Sequence, residues 1–266
     1  TQWEVVNNQI HKMQLIQNSL ENIMDNIYES EDESYKEKII KIIESMNEVW
    51  QIKSEWEDKW DFNGWARTYD KSVERQGGSG ALNFYKYYNK ILNTTYENAI
   101  ANKGDKIKVL EIGVGTGNLA SRFLENNYNI IGIDQSREML NVAKEKFPKL
   151  KLRLGDFLNI PFENGKFDVI VSTYAFHHLN EGEKKISIDE MIRVLKDDGR
   201  IVIGDLMFES EEEKERIMES LTEEEIKEIE DEYYSNIDFL REEFNRHNKE
   251  LKATKMDELV FIVCIN

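Results

Sequence analysis

One short segment limits what this chain can fold into: residues 109–117, which read VLEIGVGTG. An apolar run of strand character leads directly into three glycines spaced G-x-G-x-G, and a helical pattern follows. Glycines at a strand-to-helix turn allow open backbone dihedrals and let the main chain approach a ligand closely. The segment therefore predicts the first strand, turn and helix of an α/β domain with a ligand at the turn.

The chain after this segment continues to alternate short apolar runs with amphipathic helices, as in a parallel sheet covered on both faces. The predicted strands are residues 108–112, 129–133, 152–154, 167–172 and 200–205, and a last hairpin at 250–256 and 259–265. The predicted helices between them are residues 117–126, 139–147 and 184–195. The predicted fold class is α/β: a doubly wound, mostly parallel seven-stranded Rossmann-like sheet with a C-terminal antiparallel hairpin.

Two helical segments are expected around this sheet. Residues 1–60 carry apolar groups at steps of three and four in two runs joined by a polar link, which predicts an N-terminal helical hairpin. Residues 61–266 form the main domain, which begins with a glycine-rich loop and a helix over about residues 81–101, and includes an acidic helical insertion, or lid, at 209–246. The hairpin could pack on the main domain, cover its active site, or bind a second copy or a protein partner.

Charge and composition exclude several classes of partner. The formal net charge is −17, the insertion alone carries 5 basic and 16 acidic groups, and no segment is strongly basic. A surface that follows nucleic-acid phosphates is therefore not expected. No apolar run approaches membrane-spanning length, and the single cysteine, Cys264, excludes a disulfide framework. These features predict a cytoplasmic protein with neither a nucleic-acid nor a membrane partner.

Two acidic residues accompany the glycine turn. Glu111 lies two positions before the first glycine, where its charge would repel a pyrophosphate and suit a cationic ligand. Asp134 ends the next predicted strand, 17 positions after Gly117, where an acid can hold both hydroxyls of a ribose. Together and in this order, the two features predict a nucleoside ligand.

The segment EIGVGTG at 111–117 resembles motif I of the class I S-adenosylmethionine-dependent methyltransferases, and Asp134 matches that family's ribose-binding acid. Three further segments resemble later motifs of the family, in the family's order: GDF at 155–157, KFDVIVS at 166–172 and LKDDGR at 195–200. The resemblance runs from about Trp65 to the end of the chain, and YAFHHL at 174–179 looks like the small-molecule branch. It implies S-adenosylmethionine as cofactor and S-adenosylhomocysteine as product.

The resemblance also implies which residues hold the cofactor. The glycines would border its methionine part, and Asp156 with Phe157 would fix the adenine edge. Tyr69 could reach the cofactor carboxylate or pack in its helix, and Met139 could pack on the adenine or in a helix core. The expected cofactor-binding residues are Tyr69, Glu111, Gly113, Gly115, Gly117, Asp134, Gln135, Met139, Asp156, Phe157 and Ser172.

The chemistry implied is in-line displacement of the sulfonium methyl group, for which the protein mainly aligns the attacking atom. A base is needed only where the acceptor must lose a proton first. The catalytic candidates after the fourth strand are Tyr174, His177 and His178, although structural roles for the histidines stay open. Adjacent histidines in an extended stretch would point in opposite directions, and no His or Cys cluster has zinc-ligand spacing, so no metal site is expected.

Two other functions stay open beside methyl transfer to a small-molecule acceptor. A catalytically silent regulatory or assembly subunit could bind the same cofactor and use the helical hairpin to dock. An NAD-dependent oxidoreductase is disfavoured, because the G-x-G-x-G spacing and Glu111 do not suit a dinucleotide. The acceptor cannot be read from motifs, since acceptor pockets in this fold come from the insertions and the N-terminal segment.

Overall fold

A computed structural model describes residues 60–74 and 82–266, and its centre is an eight-stranded sheet. The strands are β1 (Lys108–Ile112), β2 (Asn129–Asp134), β3 (Lys151–Leu154), β4 (Phe167–Thr173), β5 (Leu195–Phe208), β6 (Ser235–Asn236), β7 (Leu251–Lys255) and β8 (Val260–Ile265). The sheet order is β3-β2-β1-β4-β5-β8-β7, and the two-residue β6 pairs with β5 off this path. Strands β1 to β5 are parallel, whereas β8 is antiparallel to both β5 and β7.

Helices connect the parallel strands and fill the acidic insertion. They are α1 (Phe62–Trp65), α2 (Tyr69–Glu74), α3 (Tyr88–Ile100), α4 (Asn118–Glu125), α5 (Arg137–Lys146), α6 (Glu181–Val194), α7 (Glu211–Met218), α8 (Glu223–Glu230) and α9 (Ile237–Arg246). A 3-10 turn, Phe176–His178, follows β4. Within these described ranges, no helix has the length and apolar character needed to cross a bilayer.

Both faces of the sheet are buried, because neighbouring residues along each central strand point to opposite sides. Val109 packs with residues of α3, α4 and α5, and Leu110 packs with residues of α6 and α9. Ile170 and Val171 of β4 divide between the two faces in the same way. The continuous apolar runs therefore become a two-sided core, and the predicted α/β class is confirmed.

One helix is shorter in the structure than the sequence predicts. The helix expected over residues 81–101 begins only at Tyr88, and the residues before it form turns in which two backbone groups bond to distant side chains. The amide of Leu82 donates to Glu228 of α8, and the carbonyl of Phe84 accepts the hydroxyl of Tyr174. These partners lie far along the chain, so local periodicity could not predict the boundary.

Strand β5 differs from the prediction at its start. Residues 195–200, which were expected to form a turn, belong to the strand. They interrupt its register with β4, since Phe167 pairs with Leu195 and Val169 already pairs with Arg200. The C-terminal hairpin of β7 and β8 is confirmed. The predicted helical hairpin of residues 1–60 lies outside the described residues except for Trp60, as does the glycine-rich loop at 77–80.

The packing of α3 on β5 gives a stability prediction. A Cβ added at Gly204 would lie 2.6 Å from Thr95 Oγ1 and 3.1 Å from Ile91 Cγ2, so we expect Gly204→Ala to lower the free energy of unfolding by about 1–3 kcal/mol. Urea denaturation would measure this loss. The matched control is Gly104→Ala, where a Cβ has no described neighbour within 4 Å and the expected change is neutral or slightly stabilising. Equal stability of the two variants would contradict the packing described.

Candidate functional site

The carboxyl ends of β1, β2 and β4 meet at one edge of the sheet, where crevices of open α/β sheets bind ligands. The glycine turn follows β1, Asp134 ends β2, and the 3-10 turn follows β4. A Cβ placed on Gly113 would lie 2.5 Å from Ala175 Cβ and 3.8 Å from Phe157. The edge therefore brings the predicted cofactor segments and the predicted catalytic segment into contact.

The glycine turn requires glycine for two reasons. Gly113, Gly115 and Gly117 have φ of 71°, 51° and 85°, in the region that side chains disfavour. At Gly113 a side chain would also collide with Ala175, whereas no described atom lies within 4 Å of a Cβ placed at Gly115. The turn is thus packed on one side and leaves space beside Gly115.

The carboxylate of Asp134 holds this turn in place. The amides of Gly115 and Ser136 each donate to it at 2.8 Å, one to each oxygen, and the residue is 8% exposed. The amides of Gly113 and Val114 both donate to the carbonyl of Ile133, so the end of β2 fixes three successive amides of the turn. Asp134 therefore lies at the turn, where the sequence predicted an acid.

Glu111 lies beneath the turn, and its carboxyl group is almost fully buried. Burial raises the pKa of Glu111 well above its usual range, and the nearby charge of Asp134 raises it further. Its Oε2 atom has no hydrogen-bond partner among the described residues. A buried oxygen without a partner is costly, so this atom suits a ligand that brings its own donor.

The residues predicted to hold an adenine occupy the next part of the same edge. Met139 and Phe157 are buried, and the Phe157 ring lies 5.4 Å from that of Phe176 in an edge-on contact. Asp156 Oδ1 accepts the amides of Leu158 and Asn159, which fixes the turn after β3. The side chain of Gln135 is partly exposed beside Asp134. These residues form a mixed apolar and polar wall.

Ser172 lies deeper than the rest of the predicted set. It sits within β4, is fully buried, and its hydroxyl has no partner among the described residues. Its strand neighbour on β5 is Ile203.

A residue that the sequence analysis did not single out ties α2 to the glycine turn. Asp70 Oδ1 accepts from the Thr116 hydroxyl at 2.7 Å and the Asn118 amide at 3.0 Å, and Oδ2 pairs with Lys146 at 2.6 Å. Burial raises the pKa of Asp70, but these three hydrogen-bonding partners outweigh that effect, and the pKa is lowered. The neighbouring Tyr69 packs edge-on against Trp65 and Tyr85. Tyr69 thus lies on the helix that Asp70 ties to the turn, and its ring packs among aromatic residues.

The catalytic candidates follow β4 in an unexpected conformation. The prediction that His177 and His178 point in opposite directions is wrong, because they lie in a 3-10 turn and their ring centroids are 4.0 Å apart. His177 is buried, and its Nδ1 lies 2.5 Å from Asp205 Oδ1. His178 Nδ1 lies 2.9 Å from Glu232 Oε2, and its ring packs on Trp60 and Phe62.

Asp205 is the main residue that sequence reasoning missed here. It is 1% exposed and its Oδ2 accepts the amides of Ala175, Phe176 and His177. Its position within the apolar run of residues 201–206 was the available signal, since a carboxylate is rarely buried without partners. Glu232 offered no such signal, because it is one of many acids in the insertion.

The pKa values of the two histidines are shifted in opposite directions. Burial lowers the pKa of His177, but the charge and hydrogen bond of Asp205 outweigh it, so that pKa is raised. Burial and the neighbouring His177 lower the pKa of His178, and Glu232 offsets them only in part. The nearby Lys184 has its pKa lowered to about 8, because it is buried.

Tyr174 is held differently from the histidines. Its φ is 51°, its hydroxyl donates to the carbonyl of Phe84 at 3.2 Å, and its ring stacks on Tyr88. Burial raises the pKa of Tyr174 far above its usual value. The described geometry therefore makes Tyr174 part of the packed wall between β4 and α3.

Comparison with known proteins agrees with this geometry. A profile of the methyltransferase-domain family matches residues 109–199, from β1 to the start of β5. An uncharacterized methyltransferase of Oceanobacillus iheyensis is 37% identical over 206 residues, which cover 76% of this chain and 93% of the relative.

Two solved structures share the fold at low identity. Magnesium protoporphyrin IX methyltransferase from Synechocystis, with bound SAH, has a TM-score of 0.56 at 15% identity, covering 76% of this chain and 95% of the other. The putative methyltransferase of Haloferax volcanii, in complex with the Trm112 methyltransferase activator, also has a TM-score of 0.56, at 16% identity, covering 77% and 95%. The fold, the order of the motifs and the curated relatives agree: the chain belongs to the family of class I S-adenosylmethionine-dependent methyltransferases.

Proposed function

We propose that this protein binds S-adenosylmethionine at the glycine turn and transfers its methyl group to a small-molecule acceptor by in-line displacement, leaving S-adenosylhomocysteine. One observation carries the cofactor part. The turn is fixed by Asp134, leaves space beside Gly115, and lies over a buried Glu111 oxygen that lacks a partner. A cofactor with an ammonium group and a ribose supplies the missing donors, so the residues present fit it.

The proposed cofactor contacts divide along the edge of the sheet. The turn from Gly113 to Gly117, with Glu111 beneath it, would hold the methionine part. Asp134 and Gln135 would hold the ribose, and the wall of Met139, Asp156 and Phe157 would hold the adenine. Tyr69 and Ser172 would border the site at α2 and β4. The bound sulfonium supplies an activated methyl group, so the protein's task is alignment, which can contribute on the order of 7–11 kcal/mol.

The surroundings of His177 and His178, across the site from the proposed cofactor contacts, support a small-molecule acceptor. His177 is buried, and the half-buried ring of His178 is covered by Trp60 and by Phe62 of α1. The insertion binds this wall directly: the Tyr233 amide donates to the carbonyl of His177, and Glu232 pairs with His178. A wall covered by the insertion in this way suits a small nucleophile better than a folded macromolecule. The insertion is therefore the proposed lid of the acceptor side.

His177 and His178 are the proposed acceptor-side residues. Each ring has its Nδ1 bonded to a carboxylate, which fixes the ring and leaves Nε2 without a partner among the described residues. Tyr174 shapes the same wall through its packing on Tyr88. The membership of the family decides against the NAD-dependent oxidoreductase, while a catalytically silent subunit remains an outcome of the tests.

Calorimetry tests the cofactor directly. We expect micromolar binding of S-adenosylmethionine and S-adenosylhomocysteine, and no binding of NAD, because an acidic residue beside the turn does not suit a pyrophosphate. Binding of NAD alone would contradict the proposal. Binding of both sulfur ligands without turnover across a broad panel of oxygen, nitrogen and sulfur nucleophiles would favour the silent subunit.

Asp134→Ala tests the ribose assignment. It removes the hydrogen bonds that fix the turn together with those proposed to the ribose, so we expect cofactor affinity to fall about 10- to 100-fold, as for lost bonds to a charged group. Calorimetry measures this fall. Asp168→Ala is the control, because Asp168 lies at the opposite edge of the sheet, paired with Lys196, and its loss is expected to leave affinity unchanged. Unchanged affinity in Asp134→Ala would reject the assignment.

His178→Ala tests the acceptor side. We expect turnover of the first acceptor found to fall at least about tenfold while cofactor affinity stays within about twofold, because His178 lies on the wall opposite the proposed cofactor contacts. Formation of S-adenosylhomocysteine measures turnover. His247→Ala is the control, since His247 pairs with Asp189 away from the site. Normal turnover in His178→Ala would return this histidine to a structural role.

A further inference from the structure

We propose that His177, His178 and Glu232 bind one divalent ion of the first transition series. One ligand atom from each of these residues lies within 4.8 Å of the others. Two imidazoles and a carboxylate leave open positions on an ion, which a water or an acceptor can take. The ion-binding inference stands independently of methyl transfer.

The tertiary structure creates this triad from distant parts of the chain. The 3-10 turn places the two adjacent rings on one side, and the chain after α8 brings in Glu232 from 54 residues away. His178 Nδ1 and Glu232 Oε2 are 2.9 Å apart. Two ligands at right angles on an ion, with bonds of about 2.0–2.2 Å, lie about 3 Å apart, so the observed spacing needs little adjustment.

The surroundings of His177 have the pattern found behind metal-binding histidines. Such a histidine donates its second ring nitrogen to a carboxylate, which fixes the ring and makes the ligating nitrogen more basic. Here Nδ1 of His177 lies 2.5 Å from Asp205, and three backbone amides hold that carboxylate. Nε2 of His177 is therefore the atom assigned to the ion.

The charges around the triad favour a cation. Asp205 and Glu232 are two carboxylates beside the rings, and Lys184 is a nearby buried ammonium group. The Lys184 ammonium group is engaged elsewhere, since it donates to the carbonyls of Leu179 and Tyr233. With neutral imidazoles, one negative charge is left, which a divalent ion would offset.

The ligand chemistry selects the kind of ion. Imidazole suits zinc, cobalt, nickel or iron, whereas magnesium and calcium prefer sites made of oxygen. The buried hydroxyl of Tyr234 has no partner among the described residues, and its ring centroid lies 6.0 Å from that of His177. This hydroxyl is a suitable hydrogen-bonding group for a water or an acceptor on the ion.

The use of the ion in catalysis rests on the proposed function. Ala175 touches the glycine turn, so the triad lies a few residues from the proposed methyl donor. An acceptor oxygen or nitrogen bound to a divalent ion loses its proton more readily, because the positive charge stabilises the anion. The ion would lower the pKa of the acceptor and the released proton would pass to water, so no protein base would be required.

Equilibrium dialysis with Zn²⁺ and visible absorption with Co²⁺, on tag-free full-length protein stripped of metal, test the site. We expect about one ion per chain and cobalt bands of a nitrogen- and oxygen-ligated ion. Glu232→Gln and His178→Gln should each weaken binding by at least about tenfold. The matched controls are Glu230→Gln and His247→Gln, which replace residues outside the triad and should bind as the unchanged protein does.

Binding of no ion, or equal binding in triad and control variants, would overturn the inference. Circular dichroism melting confirms that each variant is folded, and two triad variants keep the test decisive if one of them is not. Calorimetry with S-adenosylmethionine on the same samples separates the two proposals. Ion binding without cofactor binding rejects the proposed function alone, and cofactor binding without ion binding rejects this inference alone.

Discussion

The buried carboxylate of Asp205 is the group on which the conformation of the turn after β4, and with it the proposed acceptor side, depends. It receives three successive amides of the turn after β4 and the ring of His177, and the amide of Leu206 donates to it as well. Leaving such a carboxylate without partners inside the protein would cost several kcal/mol, so the turn and the strand hold each other in one arrangement. The position of both histidine rings follows from that arrangement.

The site contains two buried acids that differ in their hydrogen bonding. Asp134 is satisfied by backbone amides and stabilises the glycine turn, whereas Glu111 lies in an apolar environment that raises its pKa and leaves one oxygen without a partner. The first arrangement builds a rigid turn before any ligand binds. The second provides the hydrogen-bond acceptor proposed for the cofactor, so one short motif contains the groups that fix the turn and a group for the proposed ligand.

The acidic insertion contributes more than solvated helix surface. Its α7 and α8 carry much of the negative charge, yet the chain between α8 and β6 reaches the 3-10 turn through Glu232 and the backbone of Tyr233. This contact joins the insertion to the two histidines proposed for the acceptor side, and it involves none of the residues of the glycine turn. Function in this fold is divided in the same way between a common sheet edge and added segments.

The sequence by itself determined the main strands, their mostly parallel arrangement and the glycine turn, because apolar periodicity and glycine spacing are local signals. It also placed Glu111 and Asp134 at the turn, since the end of a strand fixes where an acid lies. Only the tertiary structure decided the start of α3 and the directions of His177 and His178. It alone brought Asp205 and Glu232 to the two rings. These features depend on hydrogen bonds between residues tens of positions apart, which leave no periodic trace in the sequence.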